Sequence, residues 1–180
     1  SATNPSNLTD TNQNNTLSNN CNEVNVLSEN LDNNEYSASN LVNVLSDGNN
    51  NKIVYVNSTA KGESPDGTIN NPYHNITNAV SIINSDQTGS TDYTVSIVPG
   101  NYTENGISIT KNITFNSYGA GEVVINGNNN GTGIFYTTVS DLNINFYNLN
   151  FINASVNGLG GVIRIDSNGN VKSENSTFKN

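Results

Sequence analysis

At 180 residues the chain is long enough for one domain of ordinary size, yet only 33% of it is hydrophobic and only 12% is charged. Fifteen acidic residues against six basic ones leave a net charge of -9, and the basic residues are scattered singly at Lys52, Lys61, Lys111, Arg164, Lys172 and Lys179. No cluster neutralises phosphates, so neither nucleic acid nor an anionic membrane surface is an expected partner, and no apolar run approaches the ~20 residues of a membrane span.

Asparagine fills 41 positions, and its amide competes for the backbone hydrogen bonds of helices and strands alike. Folding is therefore expected only where Val, Ile and Phe concentrate. Residues 1–51 are an Asn/Ser/Asp/Thr tract with small apolar groups, ending in Leu41, Val42, Val44 and Leu45. The tract reads as a disordered leader, with a short helix over 38–46 as its one candidate element. The opening at Ser1, without Met or an apolar leader, is what a secreted chain shows after signal-peptide removal. Cys21 is the single cysteine and reads as a solvated thiol.

Composition changes at Lys52, where Ile53-Val54-Tyr55-Val56 forms a compact β-type run. A turn-rich stretch follows, with Pro65-Asp66-Gly67 and Asn70-Asn71-Pro72. Ile76, Ala79, Val80 and Ile83 then follow the i, i+3, i+4, i+7 spacing of an amphipathic helix, with Asn75 as its N-cap. From Tyr93 onward the period becomes 2, in short bursts that end at Gly or Asn: Tyr93/Val95/Ile97, Ile107/Ile109, Ile113/Phe115, Val123 to Ile125, Ile134-Phe135, Leu142/Ile144/Phe146, Leu149/Phe151, Val162-Ile163/Ile165, Val171 and Phe178.

Short, evenly punctuated strands with no helix between them leave a sandwich, a barrel or a solenoid. An internal repeat favours the solenoid. Asn148-Leu149-Asn150-Phe151-Ile152-Asn153 returns as Asn175-Ser176-Thr177-Phe178-Lys179-Asn180, and Ile144 returns as Val171 at the same offset. The expected fold is thus all-β, a right-handed parallel β-helix over residues 52–180 with a short N-terminal capping α-helix. Asn suits its corners by tolerating positive φ, and amides recurring at equivalent positions can bond one turn to the next. The series stops in mid-repeat, and the expectation is that the coils continue beyond Asn180.

The order Ile53 to Asn57, Asp66-Gly67-Thr68, Asn71-Pro72-Tyr73, the helix, Val98-Pro99-Gly100-Asn101-Tyr102, Ile109 to Thr114, Ile125-Asn126-Gly127, Gly160-Gly161-Val162-Ile163 and Asn175 to Asn180 is similar to the adhesin-like surface proteins of methanogenic archaea, within the pectate-lyase-like β-helix superfamily. His74 stands where those proteins usually carry an aromatic residue or Lys, and Asn126 where they usually carry Asp. The resemblance implies an extracellular, cell-surface protein that attaches to other cells, their surface proteins or polysaccharide.

The same superfamily holds polysaccharide lyases and hydrolases, which need a proton-abstracting base with acidic Ca²⁺ ligands, or paired carboxylates. Over residues 93–180 the carboxylates Glu104, Glu122, Asp141, Asp166 and Glu174 come singly. Arg164 and Asp166, with Lys172 nearby, read as a solvated ion pair, and His74 has no nucleophile beside it. No catalytic residue, metal ligand or cofactor is expected. The alternative is a polysaccharide lyase or glycoside hydrolase with catalytic coils outside this chain, and a third reading is end-to-end self-association.

Outward Tyr and Asn side chains could form a carbohydrate platform, with Tyr102, Tyr118, Tyr136 and Tyr147 as the aromatic candidates; core packing or isolated surface positions explain these rings as well, so no binding residue is assigned. Nine Asn-x-Ser/Thr sequons occur, at Asn7, Asn14, Asn57, Asn75, Asn101, Asn112, Asn130, Asn153 and Asn175. In so Asn-rich a chain many arise by chance; the candidate N-glycosylation positions are Asn57, Asn75, Asn101, Asn112, Asn130, Asn153 and Asn175, with any glycan expected on an outward-facing turn.

Overall fold

A computed structural model describes residues 45–46, 51–156 and 160–179. Cys21, Asn7, Asn14 and most of the leader lie outside the described residues. Residues 38–44 of the candidate 38–46 helix lie outside the described residues too; its last two, Leu45–Ser46, form a short strand, β1, antiparallel to β2 (Asn51–Val56) with Leu45 opposite Ile53.

The remaining strands are short: β3 (Asp92–Ile97), β4 (Gly100–Thr103), β5 (Ile107–Ser108), β6 (Asn112–Ser117), β7 (Val123–Asn126), β8 (Phe135–Thr137), β9 (Leu142–Tyr147), β10 (Leu149–Ile152), β11 (Ile163–Ile165), β12 (Gly169–Glu174) and β13 (Thr177–Lys179). The single described helix, α1, spans Ile76–Ser85. Three sheets result, ordered β1-β2-β3-β6-β9-β12, β13-β10-β7-β4 and β11-β8-β5. From β3 the chain visits the first, second and third sheet in rotation, and apart from the β1–β2 pair every strand pairing is parallel.

Register places like residues beside like. Tyr93, Ile113, Ile144 and Val171 form one inward row of the first sheet, and Val54, Val95, Phe115 and Phe146 another. The second sheet aligns Tyr102, Ile125, Phe151 and Phe178. Phe115 lies 4.9 Å from Phe135 of the third sheet, and Phe146 lies 5.2 Å from Phe151 of the second. One apolar cluster is therefore shared by all three sheets, with Phe115, Phe135, Phe146 and Phe151 at most 1% exposed. The repeat read from the sequence is a pairing register: Phe151 pairs with Phe178 and Ile144 with Val171.

Two of the corners between the first two sheets turn on left-handed Asn residues. Asn148, between β9 and β10, has φ 57°, and Asn175, between β12 and β13, has φ 49°. Their amides allow a conformation that a Cβ-branched residue resists. Strand β4 buries Tyr102 alone of its residues, so its sequence carries no alternation that marks a strand.

At the other end, α1 buries Ile76, Ala79, Val80 and Ile83, and Asn75 caps it by accepting from the Asn78 amide at 2.7 Å. Its C-cap residue Asp86 forms an ion pair with Lys52 of β2 at 2.5 Å, the Asp86 side chain being only 5% exposed. Tyr93 of β3 donates its hydroxyl to the same carboxylate at 2.8 Å, and Thr88 adds its backbone amide and hydroxyl. Burial alone would push the Asp86 carboxyl up, but the bonds from Lys52, Thr88 and Tyr93 together hold it well below the usual carboxylate range.

Two outcomes are expected. Asn148→Val should cost about 1–2 kcal/mol in urea unfolding, and Asn148→Gly almost nothing. Because the folded pKa of Asp86 is depressed, its contribution is complete above the ordinary value of about 3.9 and is lost as pH falls toward the folded one. The urea midpoint of Asp86→Asn should then vary less than that of the parent between roughly pH 5 and pH 2.

Candidate functional site

Alternation along the first sheet sends Tyr93, Val95, Ile113, Phe115, Ile144 and Phe146 inward, and so turns the residues between them outward. Three outward rows cross the strands. The first holds Asn51, Asp92 and Asn112, with Asn143 and Asn170 paired further along. The second runs Thr94, Thr114, Asn145, Lys172, and the third Tyr55, Ser96, Asn116, Tyr147, Glu174. A hollow of about 230 Å³ lies over the first two rows, lined by Asn51, Asp92, Thr94, Asn112, Thr114, Asn143 and Asn145 together with Tyr93 and Ile113.

The side chains of this face hold one another across strands. Asn112 donates its amide to Asp92 at 3.2 Å and accepts from the Asn143 backbone at 2.9 Å. Asn145 donates to the Thr114 hydroxyl, Asn51 to the Thr94 hydroxyl and Asn170 to the Asn143 amide oxygen, each at 3.1 Å. A carboxamide can make up to four hydrogen bonds. The amides of Asn112, Asn143, Asn145 and Asn170 therefore keep hydrogen-bonding capacity in reserve while their positions are set by neighbours about 4.8 Å away.

Aromatic rings border the third row. Tyr118, 44% exposed, meets Tyr55 edge-on at 5.3 Å, and the Lys172 ammonium sits 5.5 Å from the centre of the Tyr147 ring. Burial, with the neighbouring Tyr118 adding to it, raises the Tyr55 hydroxyl pKa. Of the four aromatic candidates, Tyr118 and Tyr147 lie along this face. Tyr136 is half-buried on β8 beside Arg164. Tyr102 is interior, 2% exposed, and donates its hydroxyl to the Val98 carbonyl at 2.7 Å. Its platform role is corrected: the inward phase of β4 puts it in the core.

Charged residues are dispersed. Arg164 and Asp166 form an exposed pair at 2.9 Å on β11, whereas Lys172 pairs with Glu174 at 2.6 Å on β12 of another sheet, so the three are not brought together. His74 keeps its Nε2 shielded from solvent and without a hydrogen-bond partner. Among the described residues no group of three or more His, Cys, Asp or Glu is placed to hold a metal.

Glu104 has a role that its sequence position did not announce. Its side chain accepts from the backbone amides of Ile76 and Thr77, both at 2.7 Å, and from the Thr77 hydroxyl at 2.7 Å. A buried carboxylate thus closes the positive end of α1 from the β4–β5 connection, 28 residues further along the chain. No local signal marks such a contact.

The chain matches no family model, no curated protein and no solved structure. Glu104→Ala removes the acceptor of two helix amides and should lower stability by about 2 kcal/mol in urea unfolding. Far-UV circular dichroism of the native state should change little.

Proposed function

We propose that residues 52–180 form a right-handed parallel β-helix acting as a non-catalytic attachment module at the cell surface, holding polysaccharide against the outer face of its first sheet. The rotation of the chain through three parallel sheets supports the solenoid reading, and a right-handed path is what parallel crossover connections favour. The observation that carries the binding reading is the outward lattice of Asn, Thr and Asp92 that floors the hollow of about 230 Å³. Sugars offer hydroxyls that donate and accept at once, and amides complement them in both directions. The adjoining Tyr55, Tyr118 and Tyr147 supply aromatic surface against which the apolar face of a pyranose packs.

The extracellular setting rests on the resemblance to adhesin-like surface proteins. Among the described residues no helix is long and apolar enough to cross a membrane. Dispersal of Glu104, Asp166 and Glu174 over different sheets and connections favours retention of a glycan over its cleavage.

Binding of the purified chain to immobilised neutral and acidic polysaccharides, with reducing ends and unsaturated products recorded with and without Ca²⁺, tests this reading. Retention without product is expected. Thr114→Val with Asn145→Leu should weaken retention about tenfold or more, at roughly 1 kcal/mol for each lost hydrogen bond. Released sugar would overturn the non-catalytic assignment, and undiminished retention by the double variant would overturn the assignment of this face.

A further inference from the structure

Seven sequons fall among the described residues, and their side chains are not equally able to accept a glycan. Transfer forms a bond from Asn Nδ2 to the anomeric carbon of a lipid-linked oligosaccharide diphosphate. The bond from that carbon to the phosphate oxygen breaks, its electron pair leaves with the lipid diphosphate, and one Nδ2 proton passes to a base of the transferase. A folded acceptor must therefore present an uncommitted carboxamide nitrogen to solvent, with the sequon hydroxyl beside it.

Four sequons are committed elsewhere. Asn112 donates Nδ2 to Asp92, and Asn153 donates Nδ2 to the Asn126 amide oxygen at 3.1 Å. Asn75 caps α1 while its sequon partner Thr77 is held by Glu104. Asn175 occupies a left-handed corner, and Thr177 gives its hydroxyl to Asn150 at 2.6 Å. Asn101 is exposed but sits within β4, its backbone in register with Val124.

Asn57 and Asn130 share a different arrangement. In each, the carboxamide oxygen accepts both the backbone amide and the hydroxyl of the sequon threonine: 3.0 and 2.8 Å from Thr59 to Asn57, 3.1 and 2.9 Å from Thr132 to Asn130. Fixing the oxygen toward the chain turns the planar amide so that Nδ2 faces away, and neither nitrogen has a hydrogen bond of its own. Asn57 is half-buried and its backbone amide donates to the Tyr73 carbonyl, whereas Asn130 is exposed along with Asn128, Asn129, Gly131 and Thr132 in the β7–β8 connection. We propose that, of the seven described sequons, Asn130 is the principal glycan-acceptor site. The glycan would project from a connection between the second and third sheets, away from the outward rows of the first.

The test uses the purified, unglycosylated full chain with an oligosaccharyltransferase and a lipid-linked oligosaccharide diphosphate, a short acceptor peptide serving as control. Occupancy is mapped by peptide mass spectrometry. Asn130 should exceed Asn75, Asn112 and Asn153 by roughly tenfold or more, because each of those must first open locally. Asn130→Gln and Thr132→Ala should each abolish that signal with an unchanged circular dichroism spectrum. An unmodified Asn130 beside a modified control peptide, or equal occupancy at Asn112 and Asn153, would overturn the proposal.

Discussion

Parallel, in-register pairing of each strand with the strand one passage away is the constraint from which the rest of the molecule follows. At about 4.8 Å per step it sets like positions side by side, so an inward residue meets inward residues above and below, and an outward amide meets an outward amide. Phe115 over Phe146, and Asn143 beside Asn170, are two faces of one register. This is how a chain only one-third hydrophobic closes a core: Phe, Ile and Val are spent on positions that three sheets bury jointly. The polar remainder is organised by the same register into rows whose amides bond across strands.

Helix α1 is held in place by different means. It lays four apolar residues into the core, and polar contacts from distant strands fasten both helix ends. Glu104 takes the amides at the start, while Asp86 at the finish is drawn to Lys52 and Tyr93. Charges that would be costly to bury alone are paired or hydrogen-bonded where they meet the core. The helix is thereby joined to the β4–β5 connection and to β2 and β3, the first strands whose outward residues begin the Asn and Thr rows. The proposed ligand face thus rests on a braced end of the sheet.

Much of the architecture was legible in the residues. The alternation Tyr93/Val95/Ile97 and Ile113/Phe115, the helical spacing from Ile76 to Ile83 and the return of Phe151 as Phe178 each correspond to an observed strand, helix or pairing. The misses have local causes. Strand β4 offers one inward residue and no alternation, and β1 is a strand only because β2 presents an edge to it. Tyr102 and Tyr118 are alike as letters, yet one fills the core and the other lies on the surface.

Residue type and spacing by themselves determined most of the strands, the helix over Ile76 to Ile83, where Asn could turn a corner and how far apart repeating positions lie. Those are properties of a few consecutive residues, or of a simple offset along the chain. Only the tertiary structure decided which outward residues share a row, because strand separations differ from pair to pair: Asp92 meets Asn112 across 20 residues, Thr114 meets Asn145 across 31, and Asn143 meets Asn170 across 27. Connections of unequal length absorb those differences, so no single period predicts the hollow, the Glu104 contact or the sequon left open at Asn130. Backbone pairing enforces the alignment, and it acts between residues that the sequence sets far apart.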